Sequence, residues 1–160
     1  MKKFILIFTM FFCSLIYSQI PVTDATANAN LGLQLSQSAK QLTQLANTYK
    51  LMKQGYEQYK KINGYVQQMG QLQNIINQQR QAINNANLCA KKAKNGKFSL
   101  KDVETNLSQI SGSVKTVQAL LQNNLFNMND GERIQIMDKE LDKVKTANAE
   151  IRVKLIKMSY

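Results

Sequence analysis

The sequence predicts an all-α fold: an elongated bundle of three to four long antiparallel helices. Three observations carry this. Apolar residues recur in steps of three and four over most of the 160 residues, Pro21 is the only proline, and no segment alternates with period two long enough for a sheet.

The chain divides at its start. Met1-Lys2-Lys3 gives a basic end, Phe4 to Ile16 is largely apolar, and the small Ser18 precedes Gln19-Ile20-Pro21. This is the order of a secretory signal peptide, so residues 1–18 are assigned as the leader and 19–160 as one helical bundle domain. The apolar run is shorter than the roughly 20 residues a membrane span needs; an uncleaved anchor is the competing interpretation. Cys13 follows Phe11-Phe12 rather than small residues, which argues against lipidation. Without the leader one cysteine remains, Cys89, so an internal disulfide is excluded. It is either a buried free thiol or an intermolecular cross-link.

In the first helix, Leu35, Ser38, Leu42, Leu45, Tyr49, Met52, Tyr56 and Tyr59 form a narrow seam. The phase then slips to Ile62, Tyr65 or Val66, Met69, Leu72, Ile76 and Ile83. Asn63-Gly64 sits at the slip, and a break there gives one helix to about Ile62 and a second from Tyr65 to Lys94. The alternative is one continuous helix with a local change of supercoil. Lys91, Lys92 and Lys94 crowd the end of the second helix, where cations meet the negative end of its dipole, and Asn95-Gly96 follows as a stop.

The third helix opens with Ser99 as cap, Asp102 three residues on, and Phe98 and Val103 at the two hydrophobic-staple positions. Its seam runs Leu100, Val103, Leu107, Ile110, Val114, Val117, Leu121 and Leu125. Asn129 and Glu132 make a second capping pair, with Gly131 between them weakening it. The fourth helix carries Ile134, Met137, Leu141, Val144, Ile151, Leu155 and Met158. Asn148 occupies a seam position, where it either fixes register or yields the seam to Ala147. Short connections make successive helices antiparallel.

Charge is uneven. The formal net charge is +11, yet from Ala25 to Lys101 eleven Lys or Arg face one acid, Glu57, while Asp102 to Tyr160 holds eight of each sign. The basic half suits an anionic envelope surface, nucleic acid or an acidic protein, or is a plain solvated face. Tyrosines interleave with its lysines between Tyr49 and Tyr65, a pattern that can stack bases. Tyr49, Tyr56 and Tyr59 lie on the seam, however, so packing accounts for them and direct nucleic-acid contact is not expected.

Catalysis has little support. The chain has no histidine, and Asp138, Glu140 and Asp142 fan around a helix with Lys139 and Lys143 between them, which reads as a solvated face with i,i+4 pairing. A metal site lacks ligands, no phosphate cradle is present, and no cofactor is implied.

Two short segments carry a resemblance. Gln19-Ile20-Pro21-Val22-Thr23-Asp24-Ala25, between a leader and a long Gln-rich helix, resembles the minor pilus subunits of type IV secretion and conjugative transfer systems. Met128-Asn129-Asp130-Gly131-Glu132-Arg133-Ile134 is similar to a segment of exported proteins from Bacteroidetes conjugative elements. The resemblance implies a non-enzymatic structural subunit in the periplasm or at the cell surface, packing by its helices against other secretion or pilus subunits. Family members are helical bundles with a small appended region, for which this shorter chain leaves little room. A further copy of the chain is another candidate partner. The residues singled out for partner contact are Lys50, Lys53, Lys60 and Lys61, with Tyr56 and Tyr65 as anchors. The rival functions are a periplasmic holdase-type chaperone and a secreted module binding anionic envelope surfaces.

Overall fold

The computed structural model describes residues 25–58, 63–93, 98–122 and 129–159. The leader, the stretch at Tyr59 to Ile62 and the Leu125 seam position lie outside them. Four helices result: α1 Ala25–Gln58, α2 Asn63–Ala93, α3 Lys101–Gln122 and α4 Asp130–Lys157. No strand occurs among the described residues. At 1.5 Å per residue, the 34-residue α1 is about 50 Å long and the 22-residue α3 about 33 Å.

Side-chain pairs fix how the helices run. Gln79 Nε2 of α2 donates to the Ser38 carbonyl of α1 at 3.0 Å, so these two fold back on each other. Lys154 Nζ at the end of α4 meets Asp102 Oδ2 at the start of α3 at 3.0 Å, so α3 and α4 are also antiparallel. Across the two hairpins the sense differs. The pairs Gln68–Asp130, Gln71–Ile134 and Asn85–Asn148 keep separations of 62 to 63 in sequence, which only parallel helices allow. Gln41–Ser111 and Gln44–Gln118, separated by 70 and 74, make α1 and α3 parallel in the same way. Successive helices are antiparallel, as the short connections imply, but the chain crosses the bundle diagonally between α2 and α3. Around the bundle the order is α1, α2, α4, α3, with α2 against α4 the most extensive contact.

Parallel neighbours align their dipoles, which is unfavourable unless charges at the ends oppose them. The last turns of α2 and α4 carry Lys91 and Lys92, and Lys154 and Lys157. The first turns of α3 and α4 carry Asp102 and Glu104, and Asp130 and Glu132. The sequence thus places compensating cations at the C-terminal ends of both α2 and α4, and compensating acids at the N-terminal end of α4 but not of α2.

The core follows the apolar seams closely in α3. Leu100, Val103, Leu107, Ile110, Val114 and Val117 are buried, with Leu120 beside them and Leu121 at the core's edge. Each such side chain contributes roughly 1.5–3 kcal/mol of burial. In α4, Met137, Leu141, Val144, Ile151 and Met158 are buried, and both Ala147 and Asn148 turn inward; Leu155 packs at the edge and Ile134 is half-buried. In α1 the innermost residues are Leu31, Ser38, Gln41 and Leu45, flanked by Leu35, Leu42, Tyr49 and Met52.

Several local expectations are corrected. Asn63 and Gly64 are not the turn but the first residues of α2; the four residues before them lie outside the described residues. Val66 is exposed rather than on the seam, and the α2 core instead takes Gln68, Gln71, Ile75, Gln79, Ala82 and Ala86 alongside Leu72, Ile76 and Ile83. At the start of α3, the Lys101 amide donates to Ser99 Oγ at 3.3 Å, while Asp102 reaches across to Lys154 instead of closing a capping box. Phe98 stays exposed.

The α4 start has its capping box. The Glu132 amide donates to Asn129 Oδ1 at 2.8 Å, and the Asn129 amide donates to Glu132 Oε2 at 3.2 Å. Gly131 assists rather than weakens it, because a Cβ there would lie 3.2 Å from Asn129 Oδ1 and crowd the capping oxygen.

Candidate interaction surface

Register determines what the bundle leaves free. With α1 and α3 in step at Gln41–Ser111 and Gln44–Gln118, the end of α3 at Gln122 draws level with about residue 50 of α1. With α2 and α4 in step at Gln68–Asp130, α2 residues before 68 lie beyond the start of α4. The last two turns of α1 and the first turn of α2 therefore extend past the described ends of α3 and α4, by about 12 Å for α1 and about 7 Å for α2. Burial agrees: the deepest α1 residues end at Leu45 and those of α2 begin at Gln68, while Leu51 and Val66 are 67% and 49% exposed.

This projecting hairpin end holds most of the residues chosen from sequence for partner contact. Lys50 and Lys53 are exposed on α1. Tyr56 belongs to α1 and Tyr65 to α2, but their side chains lie outside the described residues, as do Lys60 and Lys61 altogether.

The charge asymmetry becomes spatial. Among the described side chains of α1 and α2 every charge is positive: Lys40, Lys50, Lys53, Arg80, Lys91 and Lys92, all exposed. The acids gather on the other hairpin, where four of the eight are ion-paired, Asp102 with Lys154 among them. Arg133 meets Asp130 at 3.6 Å, Lys143 meets Glu140 at 2.8 Å and Lys145 meets Asp142 at 3.4 Å. These pairs are i,i+3 rather than the expected i,i+4.

Glu140 departs further from a solvated face, being only 5% exposed. Burial alone would raise its pKa, but the Lys143 and Ser113 side chains and the Lys143 and Lys139 charges outweigh it and hold the carboxyl below its usual range. Its Oε2 lacks a partner within normal hydrogen-bond geometry.

Polar groups also line the α2–α4 contact. Asn148 Nδ2 donates to Gln78 Oε1 at 2.7 Å and Gln81 Oε1 at 3.3 Å, and Asn148 Oδ1 accepts from Asn85 Nδ2 at 3.4 Å. Gln71 Nε2 donates both to the Ile134 carbonyl and to Asp138 Oδ1. These amides set the register of a parallel pair that apolar packing alone would leave free to slide. Glutamine reads as surface in a sequence, so the buried Gln68, Gln71 and Gln79 escape an apolar-periodicity search.

Cys89 is a free, fully buried thiol whose Sγ lies 4.0 Å from the Ile151 carbonyl. Burial pushes its pKa up, and the Lys154 and Lys92 charges offset only part of this. It is a core residue, not a reactive one.

Among the described residues, no group of three His, Cys, Asp or Glu side chains could hold a metal ion, and no helix is long and apolar enough to cross a membrane. The surface depressions are open and lined by both polar and apolar groups. One, of about 380 Å³, lies between α1 and α3 and is lined by Gln34, Lys101, Glu104, Thr105, Ser108 and Gln109. Within it the Thr105 hydroxyl donates to the Lys101 carbonyl at 3.0 Å.

Fold and surface define a class: an all-α four-helix bundle of two hairpins, one wholly cationic over its described side chains and longer than the other. No family model, curated protein or solved structure matches this chain.

Proposed function

We propose that this protein is an exported, non-enzymatic structural subunit of a conjugative type IV secretion apparatus, a minor pilus component that works by helix–helix and charge contacts. The observation that carries the proposal is the end of the α1–α2 hairpin. It runs past the described ends of α3 and α4 with Leu51 and Val66 exposed and Lys50 and Lys53 exposed near them. Cations beside exposed aliphatic side chains at a projecting end suit contact with the acidic and apolar groups of a neighbouring subunit. The leader-like start and the two segments that resemble minor pilus subunits direct the proposal to this apparatus.

Mating assays test it. Clean deletion of the gene is expected to lower DNA transfer, with recovery on complementation, and pilus-enriched fractions are expected to contain the protein. Lys50→Glu with Lys53→Glu should reproduce the deletion while leaving the helical content intact. Normal transfer in the deletion strain overturns the proposal.

A further inference from the structure

We infer that the α1–α2 hairpin is an electrostatic docking face for an anionic phospholipid bilayer, lying lengthwise against it. The inference shares with the proposed function only the assumption of export.

Its basis is the distribution of charge. Lys91 and Lys92 stand at one end of the hairpin, Arg80 and Lys40 near its middle, and Lys50 and Lys53 towards the other, all exposed. No acid is present among the described side chains of these two helices. The cations are therefore strung along a rod of about 50 Å with no acidic partner among the described side chains of the two helices; the side chain of Glu57 in α1 lies outside these. The acids that would neutralise them sit on the other hairpin, where Asp102, Asp130, Glu140 and Asp142 already have lysine or arginine partners.

Spread charge of one sign matches a surface of spread charge of the other. A protein partner is held instead by a compact cluster of buried anchors within an interface of about 800 Å² per side. Along its length the described part of this hairpin offers no such cluster: Leu51 and Val66 stand together at one end, the place of the proposed subunit contact, and Leu33 and Leu88 lie towards the other. A few aliphatic side chains among lysines suit the headgroup boundary of a bilayer, where each inserts independently. Nucleic acid fits less well, because no described aromatic side chain on α1 or α2 is exposed for stacking; Tyr49 packs against the core. Each lysine near an anionic leaflet adds attraction that fades within a Debye length, so several cations acting together are required.

The test is co-sedimentation of the full chain, purified as the cell delivers it, with vesicles of phosphatidylcholine alone or containing about one-third phosphatidylglycerol. Binding is expected only to the anionic vesicles, and is expected to be lost in 0.5 M salt, where screening is short-ranged (Debye length about 3–10 Å). Replacing Lys50, Lys53 and Arg80 by Glu should weaken it about tenfold or more. The same change at Lys115, Lys139 and Lys145, exposed on the other hairpin, should weaken it far less. Should the glutamate variant misfold by circular dichroism, the Lys50→Gln, Lys53→Gln, Arg80→Gln variant takes its place with a smaller loss in the same direction. Absence of binding, equal binding to neutral vesicles, or equal loss in both variants overturns the inference. So does binding to duplex or single-stranded DNA without binding to vesicles. Failure here with a transfer defect in the deletion strain leaves the assembly role standing, while binding with normal transfer removes that role and keeps the docking face.

Discussion

Asn148 of α4 donates to Gln78 Oε1 of α2 at 2.7 Å, across two helices that run in the same direction. A hydrogen bond placed here does what the surrounding apolar side chains cannot. Leu, Val and Ile tolerate small sliding of one helix on another, whereas an amide is satisfied at one register only. Asn148→Ala is therefore expected to lower the unfolding free energy by about 1 kcal/mol, measured by urea titration. No loss at all, with unchanged denaturant dependence, contradicts a register role.

Gln79 gives a sharper contrast. It is fully buried, donates to the Ser38 carbonyl and leaves its own Oε1 without a partner. Gln79→Leu keeps most of the volume and removes the unsatisfied oxygen, so stability is expected to hold or rise by up to about 1 kcal/mol. Gln79→Ala opens a cavity and should cost about 2–3 kcal/mol. Thermal melts of both variants check the ranking, and a leucine variant weaker than the alanine one reverses it.

These two residues mark the boundary of what the sequence made legible. The α3 seam could be read almost residue by residue, because Val103, Leu107, Ile110, Val114 and Val117 are apolar, regularly spaced and uninterrupted. The α2 interior could not. Gln68, Gln71 and Gln79 are polar by type, and they are buried because partners on α1 and α4 receive their amides. Helix order around the bundle was equally hidden: a short connection fixes the direction of the next helix but not which side it packs on. Lys50 and Lys53 were legible as exposed cations. The surplus length of their hairpin follows only from the register of all four helices.

Glu140 makes stability depend on pH in a definite sense. Its folded-state pKa is below the usual carboxylate value, so the folded state favours the charged form. The stabilisation is fully present above the unfolded pKa of about 4.3 and is lost as pH falls through the lower folded value. Wild type and Glu140→Gln should differ most near neutral pH and converge below about pH 4. A gap that widens on acidification contradicts this assignment.

Cys89 should resist a bulky thiol reagent in the native protein and react freely in urea, because its side chain is fully buried. Cys89→Ser is expected to fold, with a loss of about 1 kcal/mol. Rapid labelling of the native protein, or oligomers under non-reducing conditions that vanish in Cys89→Ser, indicates that the helices around it open.

The parallel course of α2 and α4 underlies both the buried amides and the free hairpin end, and spin-label distances test it directly. In a Cys89→Ala background, labels at the exposed Gln67 and Gln135 should lie close together, and labels at Gln67 and the exposed Arg152 should be about 30 Å apart. A short Gln67–Arg152 distance with a long Gln67–Gln135 distance would mean that the two helices run in opposite directions and that this arrangement is wrong.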